Sequence, residues 1–289
     1  MGRRSIFHLK LKKGALPLGR NTLIMGVLNI TPDSFSDGGK YFSAKRAVER
    51  ALEIEREGAD IIDIGAESTR PGAVGISAGQ ELARLLPVVE TLKGKLKILI
   101  SVDTQKAAVA EIAIGAGAAI INDVSGLRND PRLAEVAAKH RVPIILMQMR
   151  GTPRTMQTTP FAKNVMKDVL GGLKKSIAVA RNAGISKDRI VVDPGIGFGK
   201  SFEQNYELLA KLPILAKLGY PLLVGTSRKG FLGKTLARNG QPAQVNERLW
   251  GTAATVTASI LGGAHIVRVH DVAEMVQVAR VTDCLMNLQ

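Results

Sequence analysis

Short aliphatic runs alternate with helix-length amphipathic stretches along almost the whole chain. The runs are Thr22–Asn29, Asp60–Ala66, Lys97–Asp103, Ala118–Asp123, Val142–Met147, Arg189–Asp193, Pro221–Thr226 and Ala264–His270. Between them, apolar positions recur every 3.6 residues, as in Lys45–Arg56, Leu82–Leu92, Pro131–Lys139, Met166–Ala183 and Asn205–Leu218. Eight βα units with no change of composition predict an α/β protein, a single-domain (β/α)8 barrel of the TIM type. A doubly wound open sheet is the alternative, because strand counting does not detect closure. Before the first unit, Leu9 and Leu11 alternate with Lys10 and Lys12. That alternation predicts a short β-ribbon covering one barrel end, dividing the chain into an N-terminal extension (1–21) and the barrel (22–289).

Side chains alternate between the two faces of a strand, so the runs also say which residues point inward. In Lys97–Asp103, the aliphatic set Ile98, Ile100 and Val102 packs on the helices, which turns Asp103 inward. The same parity pairs Asn29 with Met25 and Val27, Asn122 with Ile120, Asp193 with Val191, and Arg268 with His270. All six polar residues stand at C-terminal strand ends, where barrel enzymes carry their active sites. A strand-end Asp or Asn also serves as a helix cap. Six such residues from five strands, converging on one mouth, favour a site.

Composition narrows the class. The chain is 45% hydrophobic and only 4% aromatic, so its core is mostly Val, Ile, Leu and Ala, as suits strands buried on both faces. Its one cysteine, Cys284, has no partner for an internal disulfide and reads as a small buried hydrophobe. No apolar run approaches the ~18 residues that cross a membrane, and no long apolar stretch follows the basic N-terminus. The cytoplasm is the expected location. An excess of 40 Lys and Arg over 25 acids, net +15, raises nucleic acid as a partner. The bases are spread along the chain, without zinc-finger spacing or an aromatic stacking motif. Small anionic substrates are the expected partners, with no nucleic acid and no membrane.

Two glycine-rich stretches imitate phosphate loops. The segment Gly195–Ser201 ends like a Walker A loop but has Pro194 where the first glycine belongs, and Gly233-Lys234-Thr235 fails at Arg228. The glycines of 195–199 instead predict a sharp turn and close backbone approach after the sixth strand. Thr226 to Gly230, opening a helix with Lys, Arg and hydroxyls, reads as an anion site. There is no HExxH, no CxxC and no dense carboxylate cluster, so no protein-caged metal is expected; a Mg²⁺ held mainly by substrate phosphates, with one or two protein oxygens, would leave little trace in the sequence.

Longer motifs carry a family resemblance. The stretch Gly26-Val27-Leu28-Asn29-Ile30-Thr31-Pro32-Asp33-Ser34-Phe35-Ser36-Asp37-Gly38-Gly39 resembles the first signature of dihydropteroate synthases. Asp63-Ile64-Gly65-Ala66-Glu67-Ser68-Thr69-Arg70-Pro71-Gly72-Ala73 resembles the second. Ser101 to Thr104, Ile121 to Val124, Asp193 to Lys200, Ser227 to Lys229 and Arg268 to Asp271 continue the pattern in order, from about residue 22 to the C-terminus. The chain departs from the family's usual residues at Gln148, where histidine is common, and at Gly230, often a hydroxyl residue.

The resemblance implies a cytosolic folate-pathway transferase that joins a pterin pyrophosphate to p-aminobenzoate. Asp103, Asn122, Asp193 and Lys229 would hold the pterin, with Met147, Phe198 and Gly225 lining it. Asn29, Thr69, Arg268 and His270 would take the pyrophosphate, Asn29 also touching Mg²⁺. Phe35, Pro71, Phe198, Lys229 and Gly230 would shape the p-aminobenzoate pocket. Phe35, Asp37, Thr69, Arg70 and Lys229 would serve the reaction itself. Loops at about Thr31–Ser43 and Ser68–Gly79, rich in glycine, are expected to be mobile lids. The resemblance also implies a homodimer through late helices, for which Ala253–Leu261 is apolar enough, although core packing accounts for it equally. A pterin-dependent methyltransferase on the same barrel is the rival, but it needs no pyrophosphate group such as Arg268 with His270.

Overall fold

The computed structural model describes residues 4–31, 40–156, 158 and 161–288. An antiparallel ribbon comes first, β1 (Phe7–Lys10) and β2 (Ala15–Leu18). Next come eight strands: β3 (Leu23–Asn29), β4 (Ile61–Gly65), β5 (Leu99–Asp103), β6 (Ile120–Asp123), β7 (Ile144–Met147), β8 (Ile190–Asp193), β9 (Leu223–Val224) and β10 (Ile266–Val269). They pair in parallel in the order β8-β7-β6-β5-β4-β3-β10-β9. The Val192 N–H donates to the Pro221 carbonyl at 3.0 Å, joining β8 to the chain entering β9. That contact closes the sheet and decides for the barrel over the open sheet.

The helices are α1 (Lys40–Arg56), α2 (Ala78–Leu92), α3 (Ala107–Ala116), α4 (Arg132–His140), α5 (Val165–Asn182), α6 (Phe202–Ala210), α7 (Leu212–Ala216), α8 (Gly230–Thr235), α9 (Leu249–Leu261) and α10 (Val272–Asn287). Each strand's outward aliphatics, such as Ile100, Val102, Val267 and Val269, pack on this ring. The inward set, Met25, Ile61, Ile120, Ile145, Val191, Leu223 and Ile266, fills the barrel's lower half. Leu9 and Leu18 of the ribbon join that inner cluster, so the ribbon plugs the N-terminal end as its alternation predicts. Arg4 latches the plug: it bonds Thr22 Oγ1 (2.6 Å), the Ala264 carbonyl (2.7 Å) and Asp283 of α10 (2.6 Å).

Three expectations need correction. Asn205–Leu218 is two helices, α6 and α7, because Pro213 near the start of α7 interrupts the backbone ladder. Helices α1 and α2 begin at Lys40 and Ala78, so both long loops end sooner than the sequence indicates. Cys284 is exposed, not buried. The inward stripe of α10 runs through Met275, Val276, Ala279, Thr282, Asp283 and Met286, and Cys284 falls outside it.

Candidate active site

Strand register sets the mouth of the barrel. Asn29 pairs with Gly65, Gly65 with Asp103 and Asp103 with Asn122, one row across four strands. Gly65 contributes no side chain to that row. Asn29 Oδ1 and Asp103 Oδ2 both lie 3.7 Å from where its Cβ would stand, so Asn29 and Asp103 share the space. On the opposite wall, Met147 pairs with Asp193. Arg268, from β10, reaches between the walls.

An ion network under this row holds the site's charge. Asp63 is wholly buried and accepts from Ser101 Oγ (2.7 Å), Asn122 Nδ2 (2.8 Å) and Arg268 Nε (2.7 Å). Arg268 Nη2 donates to Asp103 Oδ2 at 3.1 Å. Burial works to lower the Arg268 pKa, but Asp63 and Asp103 outweigh it and the guanidinium is held charged. Burial raises the Asp103 pKa, the Asp63 charge adds to this, and Arg268 partly offsets both. Sequence reasoning quotes Asp63 in a signature without giving it a role. Parity signals it: Ile61, Asp63 and Gly65 share the inward face of β4.

The turn after β8 forms the far wall. Gly195, Gly197 and Gly199 have φ of 66°, 84° and 65°, the left-handed region open to glycine. The Gly195 N–H holds Asp193 Oδ1 at 2.7 Å. Lys200, buried at the end of the turn, donates to the Gln148 carbonyl (2.8 Å) and to Gln148 Oε1 (2.6 Å). Burial lowers its pKa to about 7. Gln148 passes the contact on, donating Nε2 to Asp168 at 2.9 Å. At this departure from the family pattern, the glutamine thus couples β7, the β8 turn and α5. The turn presents Phe198, and Lys229 Nζ lies 3.9 Å from that ring's centroid. Burial, with the Arg268 charge, pulls the Lys229 pKa down to about 8.

One cleft is lined by Thr69, Asp103, Asn122, Met147, Asp193, Phe198, Gly225, Lys229, Arg268 and His270, ten of the residues singled out from sequence. The model of the pterin binding enzyme family matches residues 25–270. The dihydropteroate synthase of Synechocystis is 48% identical over 92% of this chain and 91% of its own length. That of Bacillus subtilis is 46% identical over 96% and 93%. The Yersinia pestis enzyme, solved with a sulfonamide drug, superposes with a TM-score of 0.89 at 41% identity over 98% of this chain and 100% of that one. The chain belongs to the dihydropteroate synthases. The methyltransferase reading is not favoured.

His270 stands at the rim: its Nδ1 lies 3.0 Å from Ser227 Oγ, which also accepts the His270 N–H at 3.1 Å. Burial and the charges of Arg268, Arg228 and Lys229 lower its pKa to about 3, so the ring is neutral at physiological pH. Sequence reasoning places Ser227 only among the hydroxyls of the Thr226–Gly230 anion site, without a role toward His270. Arg228 is held at φ 59° by an ion pair with Asp271 and by the Arg228 N–H bond to Thr252 Oγ1, 3.1 Å. That fixes the direction in which Lys229 leaves the chain. Arg70 and Pro71 are exposed on loop two, and Gly230 is exposed at the first position of the short α8. Phe35 and Asp37 lie outside the described residues.

Asp193 supplies a prediction with two readouts. Asp193→Asn is expected to cost about 1–3 kcal/mol of affinity for a pterin lacking pyrophosphate, read by calorimetry, since a charged acceptor is removed. Burial raises the Asp193 pKa to about 6, opposed by the Gly195 N–H and Lys229. The charged acceptor is present above that pH and is lost as pH falls through it, so wild-type affinity should drop across this window and the Asn variant's should not. The sign for stability is opposite. The folded state holds this proton more tightly than the unfolded chain, so this group's contribution to stability declines from about pH 4 to about 6. Equal affinity for the two proteins at pH 7.5 would remove Asp193 from the site.

Proposed function

We propose that this cleft joins 6-hydroxymethyl-7,8-dihydropterin pyrophosphate to p-aminobenzoate, giving 7,8-dihydropteroate and pyrophosphate. The carrying observation is the placement of two inward carboxylates, Asp103 and Asp193, on facing walls of one mouth, with Arg268 between and neutral His270 at the rim. The amino and ring N–H groups of a pterin edge are donors that suit carboxylate acceptors, and Asn122 and Lys229 suit its remaining polar atoms. The Xanthomonas albilineans relative has been solved with 4-aminobenzoic acid (40% identity, TM-score 0.89) and with 7,8-dihydropteroate (39%, 0.82), which supports the assignment of both substrates.

No protein nucleophile is needed. The C–O bond to pyrophosphate breaks with its electron pair going to the leaving group, and the pterin ring delocalises the cation left on the methylene carbon. His270 donates as a neutral N–H group, and Thr69 and the positive field of Arg268 face the departing oxygens. The p-aminobenzoate amine then attacks the carbon and sheds a proton. Open space in the cleft is about 50 Å³, so Lys229 swings off Phe198 as the ring enters. Asn29 offers one amide oxygen at the rim, which fits a Mg²⁺ that takes one or two protein oxygens and completes its shell with phosphate oxygens. Such an ion would supply charge neutralisation to the leaving group. Loops one and two would exclude water from the cation.

A homodimer is part of this reading. Trp250 of α9 and Val281 and Leu285 of the adjoining α10 are 79%, 66% and 54% exposed, apolar surface that a second copy would cover. Within Ala253–Leu261 itself, Thr255, Val256, Ser259 and Ile260 are buried in this chain's own core. The deciding assay is pyrophosphate release. It is expected only with both substrates, and p-aminobenzoate alone is expected to bind poorly until a pterin, pyrophosphate and Mg²⁺ are present. Release without the amine counts against the exclusion of water from the cation, and tight binding of p-aminobenzoate to free enzyme counts against a pocket completed only after the pterin binds.

A further inference from the structure

Loop two leaves β4 after Gly65, contributes Thr69 to the cleft and returns to α2 at Ala78. It has little packing beneath it. A cavity of about 430 Å³ separates it from the segments that follow β6 and β7, bounded on the loop side by Glu67, Ser68, Ala73 and Ile76. At its tip, one hydrogen bond from the Gly72 N–H to the Pro153 carbonyl, 3.0 Å, spans that gap. What fixes the loop is therefore at its base.

Three charged residues meet there. Lys106, three residues beyond Asp103, donates to Glu67 Oε2 at 2.9 Å and to Glu81 Oε2 at 2.6 Å. The other oxygen of Glu67 accepts the Ile76 N–H at 2.8 Å, which draws the two stems of the loop together. Gly75 makes room for that carboxylate, whose Oε1 lies 3.4 Å from where a Cβ would stand. Glu81, in the first turn of α2, is wholly buried, and its Oε1 has no hydrogen-bond partner among the described residues. Lys106 is thus the partner of this buried charge, and one ammonium ties the base of loop two, the start of α2 and the segment after β5.

We propose that Lys106 is a positioning residue of the synthase: through Glu67 it holds loop two where Thr69 faces the anionic leaving group. This rests on the reading that loop two belongs to the substrate site. It predicts slower departure of pyrophosphate and, through Pro71 on the same loop, weaker p-aminobenzoate binding, while the pterin edge, built on Asp103, Asn122 and Asp193, stays intact.

The test uses steady-state kinetics, calorimetry with a pterin lacking pyrophosphate, and thermal unfolding. Lys106→Met is expected to lower kcat and raise the KM for p-aminobenzoate by about 10-fold or more between them, with bare-pterin affinity within about twofold of wild type. Lys106→Arg should recover most of the activity, because a guanidinium can bridge both carboxylates. Lys106→Met alone leaves Glu81 buried and unpaired and lowers Tm. Adding Glu81→Met removes that charge and should restore Tm, yet the kinetic defect should persist because Glu67 is still unanchored. Kinetics that recover with Tm in the double variant, or bare-pterin affinity that falls in parallel with activity, would overturn the positioning role. Thr69→Ala is the control. If it is slow while Lys106→Met is normal, only the Lys106 proposal falls. If Thr69→Ala is itself normal, the reading of loop two falls and takes the Lys106 proposal with it.

Discussion

Arg268→Ala is expected to reduce kcat/KM by at least about 100-fold and to destabilise the fold by about 3–5 kcal/mol. Both effects follow from one geometry. Arg268 is the only residue among those described whose cationic side chain bonds Asp63 (2.7 Å) and Asp103 (3.1 Å). Without it, two neighbouring carboxylates remain in the barrel mouth, 0% and 9% exposed, with no cation between them. The sequence alone points to a narrower outcome, pyrophosphate binding weakened far more than binding of the bare pterin. The structure predicts losses for the pyrophosphate ester and the bare pterin together, since Asp103 depends on the same guanidinium. The destabilisation should also depend on pH. Removing Arg268 takes away the charge that lowers the folded-state pKa of Asp103, which therefore rises further above its value of about 8. This part of the deficit therefore grows as pH rises through about 8 and shrinks below it, where Asp103 holds its proton in both folded proteins. Urea unfolding of wild type and variant at about pH 9 and about pH 7 reads this directly. Adding Asp63→Asn should recover stability without recovering activity. A variant of native stability that loses only pyrophosphate affinity would show that Arg268 acts on the anion alone.

Strand parity made most of this site legible before any coordinates. On each strand the unbroken aliphatic set packs on the helices, so Asp103, Asn122, Asp193 and Arg268, on the other set, face the barrel axis. All four line the cleft. Asp63 obeys the same rule but sits one pair below the strand end, where a reading confined to strand ends does not look. Contacts between loops were less accessible. Nothing in the spacing of Lys106, Glu67 and Glu81 signals that they meet, because their approach depends on where the barrel places three separate segments. Cys284 misleads for a related reason: Val281, Leu285 and Met286 stand near it in sequence, but burial on a helix follows the 3.6-residue stripe and not the local average. Gln148 shows the reverse, a departure from the family pattern whose replacement side chain is nonetheless bonded at both ends of its amide, to Lys200 and to Asp168.

The other large effect is expected at a residue with no side chain. Gly195→Ala should lower kcat/KM by about 100-fold and cost about 1–3 kcal/mol of stability, although every catalytic group remains. A Cβ on Gly195 would stand 2.0 Å from the Gln148 carbonyl oxygen and 3.1 Å from Lys200 Nζ. The first of these is backbone on β7's end and cannot rotate away. The φ of 66° adds a cost of about 1–2 kcal/mol for any L side chain. The turn must therefore move off β7, and three site features move with it: the N–H that orients Asp193, the Phe198 ring, and Lys229, which lies over that ring. Bare-pterin affinity should fall along with turnover, which separates this defect from the one expected at Lys106. Gly199, with φ 65° and a Cβ position 2.3 Å from the Arg150 carbonyl oxygen, should behave in the same way. Gly115→Ala is the matched control: within α3, with nothing inside 4 Å of its Cβ position, it should leave activity unchanged and raise stability slightly. Native Tm and kinetics in Gly195→Ala would mean that the β8 turn can shift without disturbing the cleft. The tight seat of this turn on β7 would then be incidental to the reaction, and Asp193 would owe its orientation to the strand alone.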